Sequence, residues 1–149
     1  MDKEIKNAVN ALESGETILY PTDTVWGIGC NALSDNATKK IFKLKKRDYS
    51  NGLICLASNF EMISKYADIS EIEKLIQISD DSPTTFIFNN PKDISNFVLG
   101  NNSSIAFRVP KNNFCIRLIE TFGKPIVSTS ANLSGFKVPL NFNDIKPEI

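Results

Sequence analysis

Four stretches of the chain carry hydroxyls, cations and glycines that could hold polar or anionic ligands. The first is Pro21-Thr22-Asp23-Thr24-Val25-Trp26-Gly27-Ile28-Gly29. Its two threonine hydroxyls can hold a polar ligand, its tryptophan can wall a pocket, and its glycines permit close backbone approach. The same residues also fit a loop anchored by one tryptophan. The second runs from Lys39 to Arg47, with basic residues at 39, 40, 43, 45, 46 and 47. On a helix, Lys39, Lys43 and Lys46 fall on a solvated face, whereas Lys45 falls between Ile41 and Phe42 beside the apolar stripe. An ammonium aimed inward needs a partner, and an anionic ligand or an internal ion pair would serve. With Arg47 close behind, phosphate oxygens could meet a point charge and a guanidinium fork.

The third stretch is Ser103-Ser104-Ile105-Ala106-Phe107-Arg108-Val109-Pro110, in which a strand would put Ser104, Ala106 and Arg108 on one face. An arginine there is either paired to a carboxylate or reaching into a site, and its fork suits an amino-acid carboxylate. The fourth, Ser128-Thr129-Ser130-Ala131-Asn132-Leu133-Ser134-Gly135, offers hydroxyls and an amide after a strand. These can donate to phosphate and ribose, or merely cap a turn.

The chain has no histidine. Ser-His-Asp and Cys-His catalysis are therefore excluded, and so are histidine-based zinc sites. Any chemistry must use Lys, Arg, carboxylates, hydroxyls, backbone groups or a metal carried by the substrate. The 17 basic and 17 acidic residues balance, so the surface as a whole is not built to bind nucleic acid, although a local basic patch can be. Cys30, Cys55 and Cys115 are odd in number and widely spaced, which reads as buried thiols in a reducing cytoplasm. No apolar run approaches the roughly 20 residues of a membrane span, and Met1-Asp2-Lys3-Glu4 does not open a secretory signal.

The elements that must position these residues follow from periodicity. Ile5, Ala8, Val9 and Leu12 predict a helix from Asp2 to Ser14, capped by Asp2 and ended by Gly15. Thr17 to Tyr20 predicts a strand stopped by Pro21, and Thr22 to Asn31 reads as loop. A helix is expected from Ser34 or Asp35 to about Arg47. Leu53 to Ala57 suits a buried strand, and Phe60 to Tyr66 a short helix. Ser70 and Glu73 suggest a capping box for a helix through Ile78. Strands are expected over Thr84 to Phe88, Ser104 to Val109 and Pro125 to Ser128, with a helix over Asn113 to Phe122 stopped by Gly123. The alternation argues an α/β or α+β single domain over residues 1–149.

The order and spacing of the four stretches closely resemble the YrdC-like threonylcarbamoyl-AMP synthases, over essentially the whole chain. The matching pieces are Pro21 to Gly29, Lys45-Lys46-Arg47, Arg108-Val109-Pro110 and Ser130-Ala131-Asn132-Leu133-Ser134-Gly135. The resemblance implies a twisted mixed sheet with surrounding helices and a concave, basic cavity. It implies conversion of L-threonine, bicarbonate (or CO2) and ATP into threonylcarbamoyl-AMP and pyrophosphate. A partner complex would then transfer the threonylcarbamoyl group to the tRNA adenosine beside the anticodon. By resemblance, Thr24, Leu56, Arg108 and Ser128 fall to threonine. Arg47, Asn51, Ser104, Ser130, Asn132 and Val138 fall to ATP, Val138 through its backbone. Lys45 and Arg47 are the catalytic cations facing phosphates. Mg2+ would arrive with ATP, with no protein metal site.

The chain departs from the family pattern at several points. Trp26 stands where Tyr is usual, Asn51-Gly52-Leu53 where Lys-Pro-Leu or Asn-Pro-Leu is common, and Asp81-Ser82-Pro83-Thr84 where a Pro-Gly-Pro-x-Thr turn is common. The resemblance also implies a C-terminal strand region beyond the position of Ile149. Two other readings stand beside the enzyme: an RNA- or tRNA-binding module, suggested by the basic helix, and a catalytically dead nucleotide-binding fold.

Overall fold

A computed structural model describes residues 1–50 and 52–149. In chain order the elements are α1 (Asp2–Glu13), β1 (Ile18–Pro21), β2 (Trp26–Gly29), α2 (Asp35–Lys45), β3 (Ile54–Leu56) and α3 (Phe60–Ser64). They continue with α4 (Ile72–Asp81), β4 (Thr85–Phe88), β5 (Ile105–Arg108), α5 (Asn113–Phe122) and β6 (Ile126–Ser130). The strands form one mixed sheet in the order β1-β2-β6-β3-β5-β4. Among the described residues only the β3–β5 pairing is parallel.

Register decides which side chains meet. Ile54 lies beside Ala106 and Ser128, and Leu56 beside Arg108 and Ile126, so these six share one face. Cys55, Phe107 and Val127 share the other. There they join Ile41 and Phe42 of α2 and Ile63 of α3 in the larger core. On the first face α1 and α5 pack together, and Ile5, Val9, Leu12, Leu118 and Ile119 cover Leu56 and Ile126. These helices cover only part of that face. Ile54 and Arg108 on that face are only half-buried, and with the buried Ser128 they line a cavity.

Most predicted elements form, with boundaries set by local caps and turns. Gly15 ends α1 at φ +76°, and the N–H groups of Gly15 and Glu16 close on the carbonyls of Leu12 and Ala11. Asp2 is the first helical residue and not the cap. Ser34 caps α2 by accepting the Ala37 N–H at 3.1 Å. That helix stops at Lys45, because Lys46 turns left-handed at φ 53° and the Arg47 N–H bonds the Phe42 carbonyl. The Ser70/Glu73 capping box does not form. Glu71 takes the N-cap position at φ 53°, outside the extended conformation that such a cap requires.

The expected loop over Thr22 to Asn31 is in part a strand. Trp26–Gly29 pairs with β1 as a hairpin and with β6 on its other edge. Glycines weaken strand propensity, which hid this element, but here close packing requires them. A Cβ on Gly29 would stand 2.6 Å from the Val127 carbonyl oxygen and 2.7 Å from the Tyr20 ring. Cys30, Cys55 and Cys115 are buried free thiols, as their spacing suggested. Among the described residues no helix is long and apolar enough to cross a membrane.

Candidate functional site

Where α1 and α5 leave the sheet uncovered, a cavity of about 290 Å3 opens, lined by Thr22, Thr24, Arg47, Arg108, Ser128 and Ser130 among others. Each wall comes from a different element. The Thr22–Val25 turn of the β1–β2 hairpin is closed by the Thr22 hydroxyl, which accepts the N–H groups of Thr24 and Val25 at 3.2 and 3.1 Å. It also donates to the Val25 carbonyl at 2.5 Å. This local bonding fixes the turn that presents Thr24. Period two along β6 aims Ser128 and Ser130 at the same side as Ile54 and Arg108.

Both arginines reach the cavity short of partners. Arg47 donates one N–H to the Gly52 carbonyl at 2.8 Å, and its Nε is buried and unbonded. The Nε of Arg108 is likewise buried without a partner. Among the described residues the ion pairs are Met1–Glu4, Lys40–Glu16 and Arg117–Asp2, none of which touches either arginine. Burial also draws the Arg47 guanidinium below its ordinary pKa. Two cations with no carboxylate in ion-pair range, on a hydroxyl-bearing wall, make a receptor for anions.

Lys45 is 2% exposed and, as its helical position suggested, points inward. Its ammonium donates to the Thr129 hydroxyl and the Ser130 carbonyl, each at 2.7 Å, and to the Ser130 hydroxyl at 3.4 Å. No carboxylate pairs with it, so the internal salt bridge is not what holds it. Desolvation first, and Arg47 second, push its pKa down to about 8. Lys45 stands behind the cavity wall and not in its opening. Its own carbonyl accepts the Ser134 N–H at 2.8 Å, so one residue ties both ends of the Ser130–Ser134 loop.

The other residues assigned to ligands divide. Asn132 and Val138 line a second cavity of about 360 Å3, with Leu133, Phe136, Pro139 and Lys146 among its walls. It begins at Ala131, where the first cavity ends at Ser130. Asn132 donates through Nδ2 to the Leu133 and Phe136 carbonyls, leaving a buried Oδ1 free to accept. Leu56 is fully buried under α1 and α5 and is not in the cavity wall. Ser104 lines neither cavity and donates to the Asn101 carbonyl. Asn51 lies outside the described residues. The sequence reading missed Thr129 as the acceptor for Lys45, and Gly52 as the carbonyl that orients Arg47. Strict alternation along β6, with Ser128 and Ser130 facing one side, would have put Thr129 on the side of α2.

The family model for Sua5, YciO and YrdC, described as telomere recombination, matches residues 10–149. The chain belongs to the Sua5/YciO/YrdC family. Within it, the chain is 40% identical over 135 residues to a threonylcarbamoyl-AMP synthase of Photobacterium profundum, covering 88% of this chain and 73% of that one. It is 39% identical over 152 residues to one of Wigglesworthia glossinidia brevipalpis, covering 99% and 78%. Among solved structures it superposes on P. abyssi Sua5 complexed with L-threonine at a TM-score of 0.87 and 29% identity. That match covers 97% of this chain and 43% of the longer Sua5 chain. The mixed sheet and flanking helices are thus the family fold that the four stretches implied.

Proposed function

We propose that this chain joins L-threonine, bicarbonate (or CO2) and ATP into threonylcarbamoyl-AMP, a nucleotidyl transfer that releases pyrophosphate. The observation that carries the reading is the meeting of Arg47 and Arg108, unpaired by any carboxylate, across one cavity with the hydroxyls of Thr24, Ser128 and Ser130. Threonine's neutral amine adds to CO2, forming a carbamate and losing a proton to solvent. A carbamate oxygen then attacks the α-phosphorus of ATP, and the bond to pyrophosphate breaks. The protein has to assemble anionic reactants and stabilise charge on phosphate oxygens, work suited to cations and hydroxyls. Histidine is not needed.

In this reading Arg108 takes the threonine carboxylate in its fork, with Thr24 and Ser128 beside it. Arg47 and Ser130 meet the phosphates, and Lys45 charges and braces the strand end from behind. The nucleoside extends toward Asn132 and Val138. A small cavity of about 290 Å3 suits the amino acid and phosphates, and the adjoining one suits the base. Mg2+ fits as a passenger on the triphosphate. It prefers oxygen ligands, keeps several waters and is often held mainly by phosphates. The product would pass to a transfer complex acting on tRNA in the cytoplasm. Pyrophosphate release from ATP that requires both threonine and bicarbonate is the expected result, read with a coupled phosphate assay. Release indifferent to threonine would end this reading.

One observation favours an additional RNA contact. A groove of about 890 Å3 runs along the outer face of α2, lined by Lys39, Lys40, Lys43, Lys46, Arg47 and Tyr49. Arg47 lines this groove and the cavity alike. Tyr49 is 54% exposed, open to stacking by a base. The triple variant Lys39→Ala/Lys43→Ala/Lys46→Ala should lower the slope of log affinity for single-stranded RNA against log salt by about two, with turnover of ATP unchanged. An unchanged slope removes the groove from consideration.

A further inference from the structure

We propose that Asp23 is a positioning residue that sets the distance between the two walls of the threonine subsite. The inference rests on the cavity being that subsite. Asp23 sits in the turn that presents Thr24, and its Oδ2 accepts the backbone N–H of Lys111 at 3.3 Å. Lys111 follows Arg108 by three residues, through Val109 and Pro110. The contact therefore ties the hairpin turn to the segment that leaves the arginine strand. It does not use the Lys111 charge, because that ammonium donates to the Asp80 carbonyl.

A second tether runs parallel to the first. The Cys115 thiol donates to the Pro21 carbonyl at 3.3 Å, from α5 to the residue just before the turn. The Asn112 side chain, next to Lys111, caps α5 by accepting the Cys115 N–H at 3.1 Å. Because the Thr22 hydroxyl closes the turn internally, the turn moves as one body. With the Cys115–Pro21 contact left as a hinge, releasing Asp23 lets that body pivot away from Arg108, although neither cavity-lining residue is altered. The other Asp23 oxygen is buried and unbonded, so the tether uses one oxygen only. An asparagine, which keeps one acceptor oxygen, can make the same bond.

The test compares Asp23→Ala, Asp23→Asn and Lys111→Pro in the full chain. Threonine and ATP binding are measured by calorimetry and KM and kcat by turnover. Asp23→Ala should raise the threonine Kd and KM by about 10- to 100-fold, with ATP affinity held within about twofold, since a misplacement near 1 Å is this damaging. Asp23→Asn should stay within about threefold of the natural chain. Lys111→Pro removes the donor from the opposite side and should repeat the alanine result. The double variant should be no worse than either single one. The proposal is overturned if Asp23→Asn is as damaged as Asp23→Ala, since charge and not tethering would then matter. It is also overturned if Asp23→Ala binds threonine normally, or if threonine and ATP affinity fall together. Should Asp23→Ala fail to fold, the Asp23→Asn and Lys111→Pro pair decides by the same criteria. An unaltered chain that binds no threonine would refute the cavity's assignment, whereas normal binding with unaffected variants refutes only the role of Asp23.

Discussion

Arg108→Ala should weaken threonine binding by about 100- to 1,000-fold while leaving the fold intact, the cost of removing one partner of a desolvated, hydrogen-bonded charge pair. The physical basis is that Arg108 stands in the cavity with a buried, unbonded Nε and no carboxylate in reach. If it were a structural cation, its removal would strand a buried anion and cost roughly 3–5 kcal/mol of stability. No such anion is paired with it, so denaturant unfolding should change by about 1 kcal/mol or less. Arg108→Lys keeps the charge and loses the planar fork, and should recover only part of the affinity. ATP binding measured alone should be nearly unaffected in both variants. The assignment of threonine to this arginine fails if threonine affinity survives Arg108→Ala.

The second large effect is expected at Lys45. Lys45→Met should reduce turnover by about 100- to 1,000-fold, the scale seen when a preorganised charge is removed from a transition state. Stability at pH 7 should move little, because two terms oppose. The methionine avoids burying an ammonium, worth roughly 2–4 kcal/mol from a pKa displaced to about 8. It also leaves the Thr129 hydroxyl and the Ser130 carbonyl without their donor, at about 1–3 kcal/mol each.

The pH dependence separates these terms. The folded-state pKa of Lys45 lies below its unfolded value of 10.5, so between about 8 and 10.5 the unfolded chain binds more protons. Stability of the natural chain therefore rises through that window relative to Lys45→Met, and the full desolvation penalty is present below it. Nucleotide binding has the opposite sense. A phosphate nearby favours the ammonium, so ATP should bring proton uptake near pH 8 and bind less tightly as pH rises beyond it. Calorimetry in buffers of different ionisation enthalpy reads the uptake directly. A Lys45→Met variant with normal turnover, or an identical proton uptake in both chains, would remove Lys45 from the site.

Much of this was legible beforehand because its causes are local. Helical periodicity placed Lys45 beside Ile41 and Phe42, and the fold buries it there. Strand alternation put Ala106 and Arg108 on one face, and they are half-buried while Ile105 and Phe107 are fully buried. One error arose where a distant contact overrode local preference, another where the backbone turned left-handed. Gly29 looks like a loop residue, yet the Tyr20 ring and the Val127 carbonyl occupy the space that a side chain would need. Ser70 and Glu73 spell a capping box, yet Glu71 adopts a left-handed backbone and the box is lost.

By itself the sequence determined which chemistry is available. With no histidine, the work fell to cations, carboxylates, hydroxyls, backbone groups or a metal carried by the substrate, and the order of the four stretches along the chain marked the family. Only the tertiary structure decided which of them share a hollow. Strands β2, β6, β3 and β5 are neighbours in space but far apart in sequence, so Thr24, Arg108 and Ser128 meet only once the sheet order is set. The same register sent Leu56 beneath α1 and α5, gave Lys45 its acceptors 84 and 85 residues away, and put Asn132 and Val138 in a separate cavity. Periodicity fixes which face a side chain takes on its own element. What that face looks upon is fixed by which elements pack against it, and no local pattern encodes that.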